Sequence, residues 1–328
     1  MPITRDSVAK RAGVSSATVS RVYNKSLAVS SDLRTRVLEA AEELGYKPNS
    51  FAATLRRKGT GNLAFVEFSK QGRAYYWGRL DSFDWFFGRA LRGIQQVIEH
   101  SSYQLRFYSV SKKEELNELA LQCDGIIAYD VDTEEELSFL ADLPIPVVVS
   151  HHLDKVEGIA CVRTDNYQGG RLQASYLKSL GCVSPLYVSG YLESVEPHRQ
   201  RLAGFRSLYP DADLMTTEIG SQDSISELVG KVTRIAHQYD SLAAVNDLTL
   251  FSILLNEKLA LPSVGYDASP YHALFLSQVA SIDLDSGAIY QEAARMLLSL
   301  LAGEEKKCVT ITPVLVHSQR EATTAFSK

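Results

Sequence analysis

Between Val14 and Asn24 the chain reads Val-Ser-Ser-Ala-Thr-Val-Ser-Arg-Val-Tyr-Asn, residue types suited to gripping a nucleic acid rather than to making or breaking bonds. Taken as a helix over residues 16–22, the stretch turns Val19 and Val22 inward and leaves Ser16, Ala17, Ser20 and Arg21 outside. Hydroxyls on such a face reach phosphates and base edges in a major groove, and a guanidinium grips a guanine edge or a phosphate. A solvated, Ser-rich surface helix has the same pattern, so this stretch alone leaves both readings open. Further along, Arg201, the pair Asn246-Asp247 and the run Gly265-Tyr266-Asp267 offer different chemistry. A planar fork of donors spans vicinal hydroxyls or grips a carboxylate, and amide and carboxylate groups complement it.

These residues need elements to hold them. Val8 and Ala12 share one face of a helix over residues 7–12, and Gly13 follows at the turn into the stretch above, the sequence form of a helix-turn-helix. A third helix fits residues 31–44, with Leu33, Val37, Ala40, Ala41 and Leu44 on one face, Ser30 or Ser31 at its start and Gly45 as its stop. Pro48 then interrupts the chain, and Asn49 can cap a short helix ending near Arg57. Such a helix is below the roughly 12–15 residues that persist in water, so it is expected to order only when something holds it. Lys58-Gly59-Thr60-Gly61 reads as a flexible join.

From Asn62 onward apolar strand-like runs alternate with amphipathic helical ones, the signature of a parallel α/β sheet. Strands are expected at residues 63–68, 104–110, 125–129, 146–150 and 159–162, then at 185–189, 242–246, 263–266, 279–282 and 309–316. Helices are expected between them at 83–98, 167–180, 199–208, 224–239, 248–259 and 289–301. So many strands exceed one convenient sheet, and two similar lobes with a cleft between them are the economical solution. Open sheets of this kind bind ligands beyond the carboxyl ends of their strands, where Asn246 and Asp267 fall. Trp85, Phe86 and Phe87 open the first helix of this region and are candidates to stack on a ligand, although an aromatic cluster there also serves as core. Asp247 reads as a cap for the helix that follows it. His151-His152 reads as loop, because no acidic residue or Cys stands at a metal-ligand spacing from it.

The longest signature runs from Asp6 to Asn24, Asp-Ser-Val-Ala-Lys-Arg-Ala-Gly-Val-Ser-Ser-Ala-Thr-Val-Ser-Arg-Val-Tyr-Asn. It resembles the N-terminus of the lac-repressor (LacI/GalR) family of bacterial transcriptional regulators, and the likeness extends more loosely over nearly the whole chain. The resemblance implies an all-α helix-turn-helix head in residues 1–47, a hinge helix and linker in 48–61, and an α/β two-lobed periplasmic-binding-protein-like core in 62–328. Lobe one is expected at about 62–163 and 285–305, and lobe two at about 164–284 and 306–328. It implies DNA contacts at Thr4, Ser15, Ser16, Ala17, Thr18, Ser20, Arg21, Asn24, Ser30, Tyr46, Asn49, Ala52, Ala53 and Leu55. Leu55 matches the residue that wedges into a minor-groove base step when two hinge helices meet. Ala53 stands where many members carry Arg, which removes one minor-groove contact.

In the core, His198-Arg199-Gln200-Arg201-Leu202-Ala203-Gly204-Phe205 matches the family's Arg-x-x-Gly-Phe motif, whose Arg, here Arg201, donates to the effector. Asn246 and Asp267 fall in its strand-end motifs, and Asp165-Asn166-Tyr167-Gln168-Gly169-Gly170 matches one expected to be structural at a lobe crossover. The short stretch between the second and third strands and the aromatic loop 69–81 bring the chain close to the branch containing the evolved-β-galactosidase repressor.

Composition fits this picture. The net charge of −5 is divided unevenly: residues 1–60 hold eleven Lys and Arg against five Asp and Glu, and the remainder holds 23 against 34. A basic head on an acidic body confines the attraction for phosphate to one end. No apolar run approaches a membrane span, and the N-terminus lacks the apolar core of a signal peptide, so a cytoplasmic protein with no membrane partner is expected. Cys123, Cys161, Cys182 and Cys308 show no C-x-x-C pairing and read as buried reduced thiols rather than disulfides or zinc ligands. No cofactor or metal is expected, and no phosphate-loop, dinucleotide, nucleophile-elbow or zinc-protease pattern supports an enzyme.

The expected function is sequence-specific transcriptional regulation by a homodimer on a pseudo-palindromic operator. The expected form is repression of a carbohydrate-utilisation operon, released by a galactoside-like sugar. The alternative is a purine, sugar-phosphate or protein coeffector acting by corepression. The tail has no extra heptad helix, which favours dimers over tetramers.

Overall fold

The computed structural model describes residues 5–23, 30–44, 46, 59–68, 84–129, 131, 133–150, 158–190, 192, 195–216, 222–256, 259–270 and 279–317. They form two compact units, the first of residues 1–61 with 99–104 and the second of 62–98 with 105–328; the helical head lies in the first and the two sheets almost wholly in the second.

The head is three helices, α1 (Arg5–Ala12), α2 (Ser16–Tyr23) and α3 (Ser31–Leu44). Val8, Ala9, Ala12, Val19, Val22, Val37, Ala40 and Ala41 make its core, the apolar faces that helical spacing requires. Gly13 links α1 to α2 at φ 66°, a left-handed conformation that glycine adopts without steric cost. The orphan carbonyls at both helix ends are satisfied from α3: Arg36 donates to Ala12 O at 2.6 Å and Arg34 to Val22 O at 3.2 Å. Two cations thus face the negative ends of two helix dipoles.

The core carries two six-stranded sheets. The first contains β1 (Asn62–Phe68), β2 (Gln104–Val110), β3 (Gly125–Tyr129), β4 (Val147–Ser150), β5 (Ala160–Thr164) and β11 (Cys308–Ile311), in the order β11-β5-β4-β3-β1-β2. The second contains β6 (Pro185–Ser189), β7 (Asp213–Thr216), β8 (Ser241–Ala244), β9 (Ser263–Val264), β10 (Val279–Asp283) and β12 (Val314–His317), in the order β12-β10-β9-β8-β6-β7. β12 runs antiparallel to β10, whereas β6, β7, β8, β9 and β10 pair in parallel. Strand order reverses at β1/β3 and at β6/β8, the crevices where open sheets take ligands.

The crossover helices are α4 (Asp84–Ile98), α5 (Lys113–Ala120), α6 (Glu134–Ala141), α7 (Asn166–Ser179), α8 (Glu196–Arg206), α9 (Gln222–Ile235), α10 (Asp247–Asn256) and α11 (Ser286–Leu301). The chain passes between lobes at Asp165, at Leu284-Asp285 and at Thr312-Pro313. Two of these passages are built as helix caps: Asp165 accepts from Gln168 N at 2.8 Å and Asp285 from Ala288 N at 2.9 Å. α11 packs on lobe one, where Tyr290 hydrogen-bonds Ser150 at 2.6 Å and stands edge-on to Phe65.

Several expectations need correction. The strand expected at 309–316 is two strands in different sheets, because Pro313 lacks an amide for a ladder and the chain changes lobe there. The tail expected in lobe two is therefore divided, Cys308–Ile311 pairing with β5 in lobe one. β7, α5 and α6 were not expected; β7 is a short edge strand, exposed at both ends and half-buried between, with no long apolar run. Cys161 and Cys308 are not reduced thiols but a disulfide, because the parallel register sets them opposite each other with Cα atoms 4.6 Å apart. No sequence spacing signals a pairing across 147 positions. Cys123 and Cys182 are buried and free, as expected.

Candidate functional site

In the head, Ser15 precedes α2 as its N-cap, its Oγ accepting from Thr18 N at 3.1 Å and pairing with Thr18 Oγ1 at 2.9 Å. Ser16 and Thr18 are half-buried on the first turn, and Ser30 is exposed ahead of α3. Tyr46 packs its ring against the head's core beside Val14 and Leu44. Ala17, Ser20 and Arg21 lie on α2, but their side chains fall outside the described residues, as do Thr4, Asn24, Asn49, Ala52, Ala53 and Leu55 altogether. What is described is the scaffold: a capped helix that presents its first turn after a left-handed glycine turn.

In the core, Arg201 lies on α8 and is 3% exposed. Its Nε donates to Asn166 Oδ1 at 2.9 Å and its Nη1 to Val245 O at 2.8 Å, with Asp267 Oδ1 3.5 Å from Nη1. The guanidinium lies 3.6 Å from the centroid of the Tyr266 ring, a cation–π stack. Val245 follows β8 and Tyr266-Asp267 follows β9, so the cluster sits at the carboxyl ends of strands beside the β6/β8 reversal. Asp267 has φ 95° and Ala268 φ 48°, left-handed backbone that non-glycine residues seldom hold without support.

That support comes from Asp247. Its carboxylate accepts from Ser269 N at 2.7 Å and from Ser281 Oγ at 2.7 Å, while Ser281 Oγ accepts from Ala268 N at 3.0 Å. Burial, with the neighbouring charge of Asp267 behind it, pushes the Asp247 carboxyl well above the usual carboxylate range. A Cβ on Gly265 would lie 2.0 Å from Asp247 Oδ1, so only glycine leaves room for this arrangement. Asp247 is thus not the helix cap expected of it. Asn246 is: its Oδ1 accepts from Thr249 N at 2.8 Å. Capping uses the acceptor of the Asn246 amide, whose NH2 is the half that can serve a ligand.

The motif expected to be structural is so in part. Cβ atoms on Gly170 and Gly204 would each lie 1.9 Å from backbone oxygen of the facing helix, so α7 and α8 touch backbone to backbone. Asn166 of the same motif belongs to the site, through its bond to Arg201. Sequence reasoning missed it; the available signal was its place next to the Asp165 cap, at the chain's entry into lobe two.

The aromatic candidates divide. Phe87 is packed against Phe65, Phe107 and Tyr129 at centroid distances of 5.4, 5.0 and 5.8 Å, a cluster within lobe one. Phe87 is half-buried and has a packing role in this cluster, its helix being laid over a sheet face rich in aromatic rings. Phe86 is buried edge-on to Tyr129 at the carboxyl end of β3. The Trp85 side chain lies outside the described residues. No group of three or more His, Cys, Asp or Glu side chains that could hold a metal occurs among the described residues. Among them, no helix is long and apolar enough to cross a membrane.

A helix-turn-helix head followed by a two-lobed α/β core with a polar cluster at its strand ends defines a class, the DNA-binding regulators built on a periplasmic-binding-protein-like fold. The profile of "Bacterial regulatory proteins, lacI family" matches residues 5–49. A sucrose operon repressor of Pediococcus pentosaceus is 28% identical over 315 residues, covering 90% of each chain. The HTH-type transcriptional regulator GalS of Salmonella typhimurium is 27% identical over 327 residues, covering 92% of this chain and 91% of the relative. Among solved structures, a complex of the transcriptional regulator CelR with cellobiose covers 97% of this chain at TM-score 0.66 and 23% identity. The lac repressor dimer bound to operator covers 97% at TM-score 0.62 and 22% identity. Residues 5–49 thus carry a lacI-family DNA-binding head, and over about nine-tenths of its length the chain is similar to curated transcriptional regulators.

Proposed function

We propose that the protein is the repressor of a carbohydrate-utilisation operon, a homodimer that leaves its operator when a neutral sugar binds at the Arg201 cluster. The observation that carries this reading is the charge balance at Arg201. Its guanidinium is stacked on Tyr266 and faced by the Asp267 carboxylate at 3.5 Å, so the cluster has little net charge to offer an anion. A sugar phosphate or a carboxylate would meet Asp267 as a like charge. Vicinal hydroxyls suit both groups, accepting from the guanidinium and donating to the carboxylate.

Two heads related by a two-fold axis read two half-sites of a pseudo-palindrome, with Ser16, Ala17, Ser20 and Arg21 toward the major groove and Leu55 wedged in the minor groove. Names of relatives support the carbohydrate assignment, sucrose and ribose operon repressors being among them.

The test is a fluorescence-anisotropy titration of the protein against its own upstream promoter DNA at fixed salt, with and without a panel of mono- and disaccharides. Salt is held because phosphate contacts make affinity steeply dependent on ionic strength. Tight binding abolished by one neutral sugar is the expected result. Tight binding that responds only to a purine or a phosphorylated sugar overturns the neutral-sugar reading.

A further inference from the structure

We propose that Cys161 and Cys308 form a reversible redox site, whose disulfide staples the lobe-crossing strand β11 to β5. The two residues are register partners on adjacent parallel strands, bonded through their sulfurs. Among the described residues β11 is an edge strand, paired with β5 alone. It ends at Ile311, and after Thr312-Pro313 the chain enters the other lobe's sheet as β12. The staple therefore stands beside one of the three passages about which the lobes would have to move.

The two sulfurs differ in access. Cys161 is buried on β5, whereas Cys308 is exposed, so an incoming thiolate reaches Cys308 Sγ. Attack there forms a mixed disulfide on Cys308 and expels the Cys161 sulfur as a thiolate, which takes up a proton. A second thiolate attacks the external sulfur of the mixed disulfide, leaves as a small disulfide and frees Cys308, which is protonated in turn. Two external thiols are oxidised and the protein disulfide gains two electrons. Cys123 and Cys182 do not compete: both are buried, and burial pushes the Cys123 thiol up to about 11. A DNA-binding protein works among thiol pools that keep most cysteines reduced, and disulfides formed there are characteristically transient or redox-sensing.

The full chain, purified without reductant and then treated with dithiothreitol, tests this. Peptide mapping under non-reducing conditions should show Cys161 joined to Cys308. Thiols alkylated after unfolding should be Cys123 and Cys182 alone, joined by Cys161 and Cys308 once the protein is reduced. Hydrogen exchange in peptides spanning residues 307–313 should quicken severalfold on reduction, and the core's melting transition should fall by roughly 5–10 °C. Cys308→Ser should abolish these responses while Cys182→Ser keeps them. Four free thiols in air-oxidised protein overturn the proposal, as does a disulfide whose reduction changes neither exchange nor melting.

Discussion

Arg201 carries two duties that a substitution can separate. As a buried cation it neutralises Asp267, and as a fork it has one edge engaged with Asn166 and Val245. Arg201→Lys keeps the charge and loses the fork, and should weaken sugar binding by about 10–100-fold with a modest fall in stability. Arg201→Ala leaves a buried carboxylate without its cation, and should cost the core about 3–5 kcal/mol as well as the ligand. Calorimetric titration and thermal unfolding of the two variants read the duties apart, and a Lys variant that binds sugar as well as the native protein would show that the fork is not read. That Arg201 and Asp267 would face one region was legible in the sequence because motif and strand-end position coincide there, and the fold brings the two side chains together. The exchange of roles between Asn246 and Asp247 was not. Which of two adjacent polar residues caps a helix depends on where the helix begins, to within one residue, and on the Ser269 and Ser281 partners that only the folded loop brings together.

At the scale of elements, the contact between α7 and α8 has no slack. Gly170→Ala would set a methyl 1.9 Å from Arg201 O, so α8 must move or the helices must part. Because α8 carries Arg201, the substitution should destabilise the core by about 3 kcal/mol or more and weaken ligand binding together. Gly230→Ala, with open space around its Cβ, is the control, and equal unfolding temperatures for the two variants would refute the close-contact account.

Asp240 shows how a strand start is fixed. Its Oδ2 accepts from Val183 N at 2.6 Å and Ser184 N at 3.0 Å, and its Oδ1 from Ser241 Oγ at 2.8 Å, tying the starts of β6 and β8. Burial alone would raise its carboxyl, but these bonds together hold it below the usual carboxylate range. An acid with a depressed folded-state value adds stability above its unfolded value, near 3.9, and loses it as pH falls through the folded one. Asp240→Asn should therefore cost about 1 kcal/mol at pH 7 and progressively less below about pH 4, measured by denaturant unfolding across that range. A penalty independent of pH would mean that the charge adds nothing. The α/β alternation was legible because buried parallel strands are continuous apolar runs. β7, α5 and the division at Pro313 were not, since exposed edges and short helices carry little apolar signal, and lobe membership is decided by partners more than a hundred residues away.

For the whole molecule, the proposed function requires that a ligand in the core alter grip in the head. Only a differential affinity for two lobe arrangements can transmit the effect, and reciprocity requires that operator and ligand oppose or assist each other equally. Within the core, Arg89 of α4 in lobe one stands 3.7 Å from Asp283 at the end of β10 in lobe two. Both are partly exposed, so the pair contributes no more than about 1 kcal/mol, up to roughly a fivefold shift in the lobe equilibrium. Arg89→Gln removes an attraction that exists in this arrangement of the lobes without touching the Arg201 cluster or the head. If the arrangement described here is one of the two functional states, ligand affinity and operator affinity should both move, each by a few-fold, and both shifts should shrink at high salt. Ligand affinity that moves while operator affinity stays would make the pair a local contact at the site's edge, and would send the search for coupling to the passages at Asp165 and Pro313.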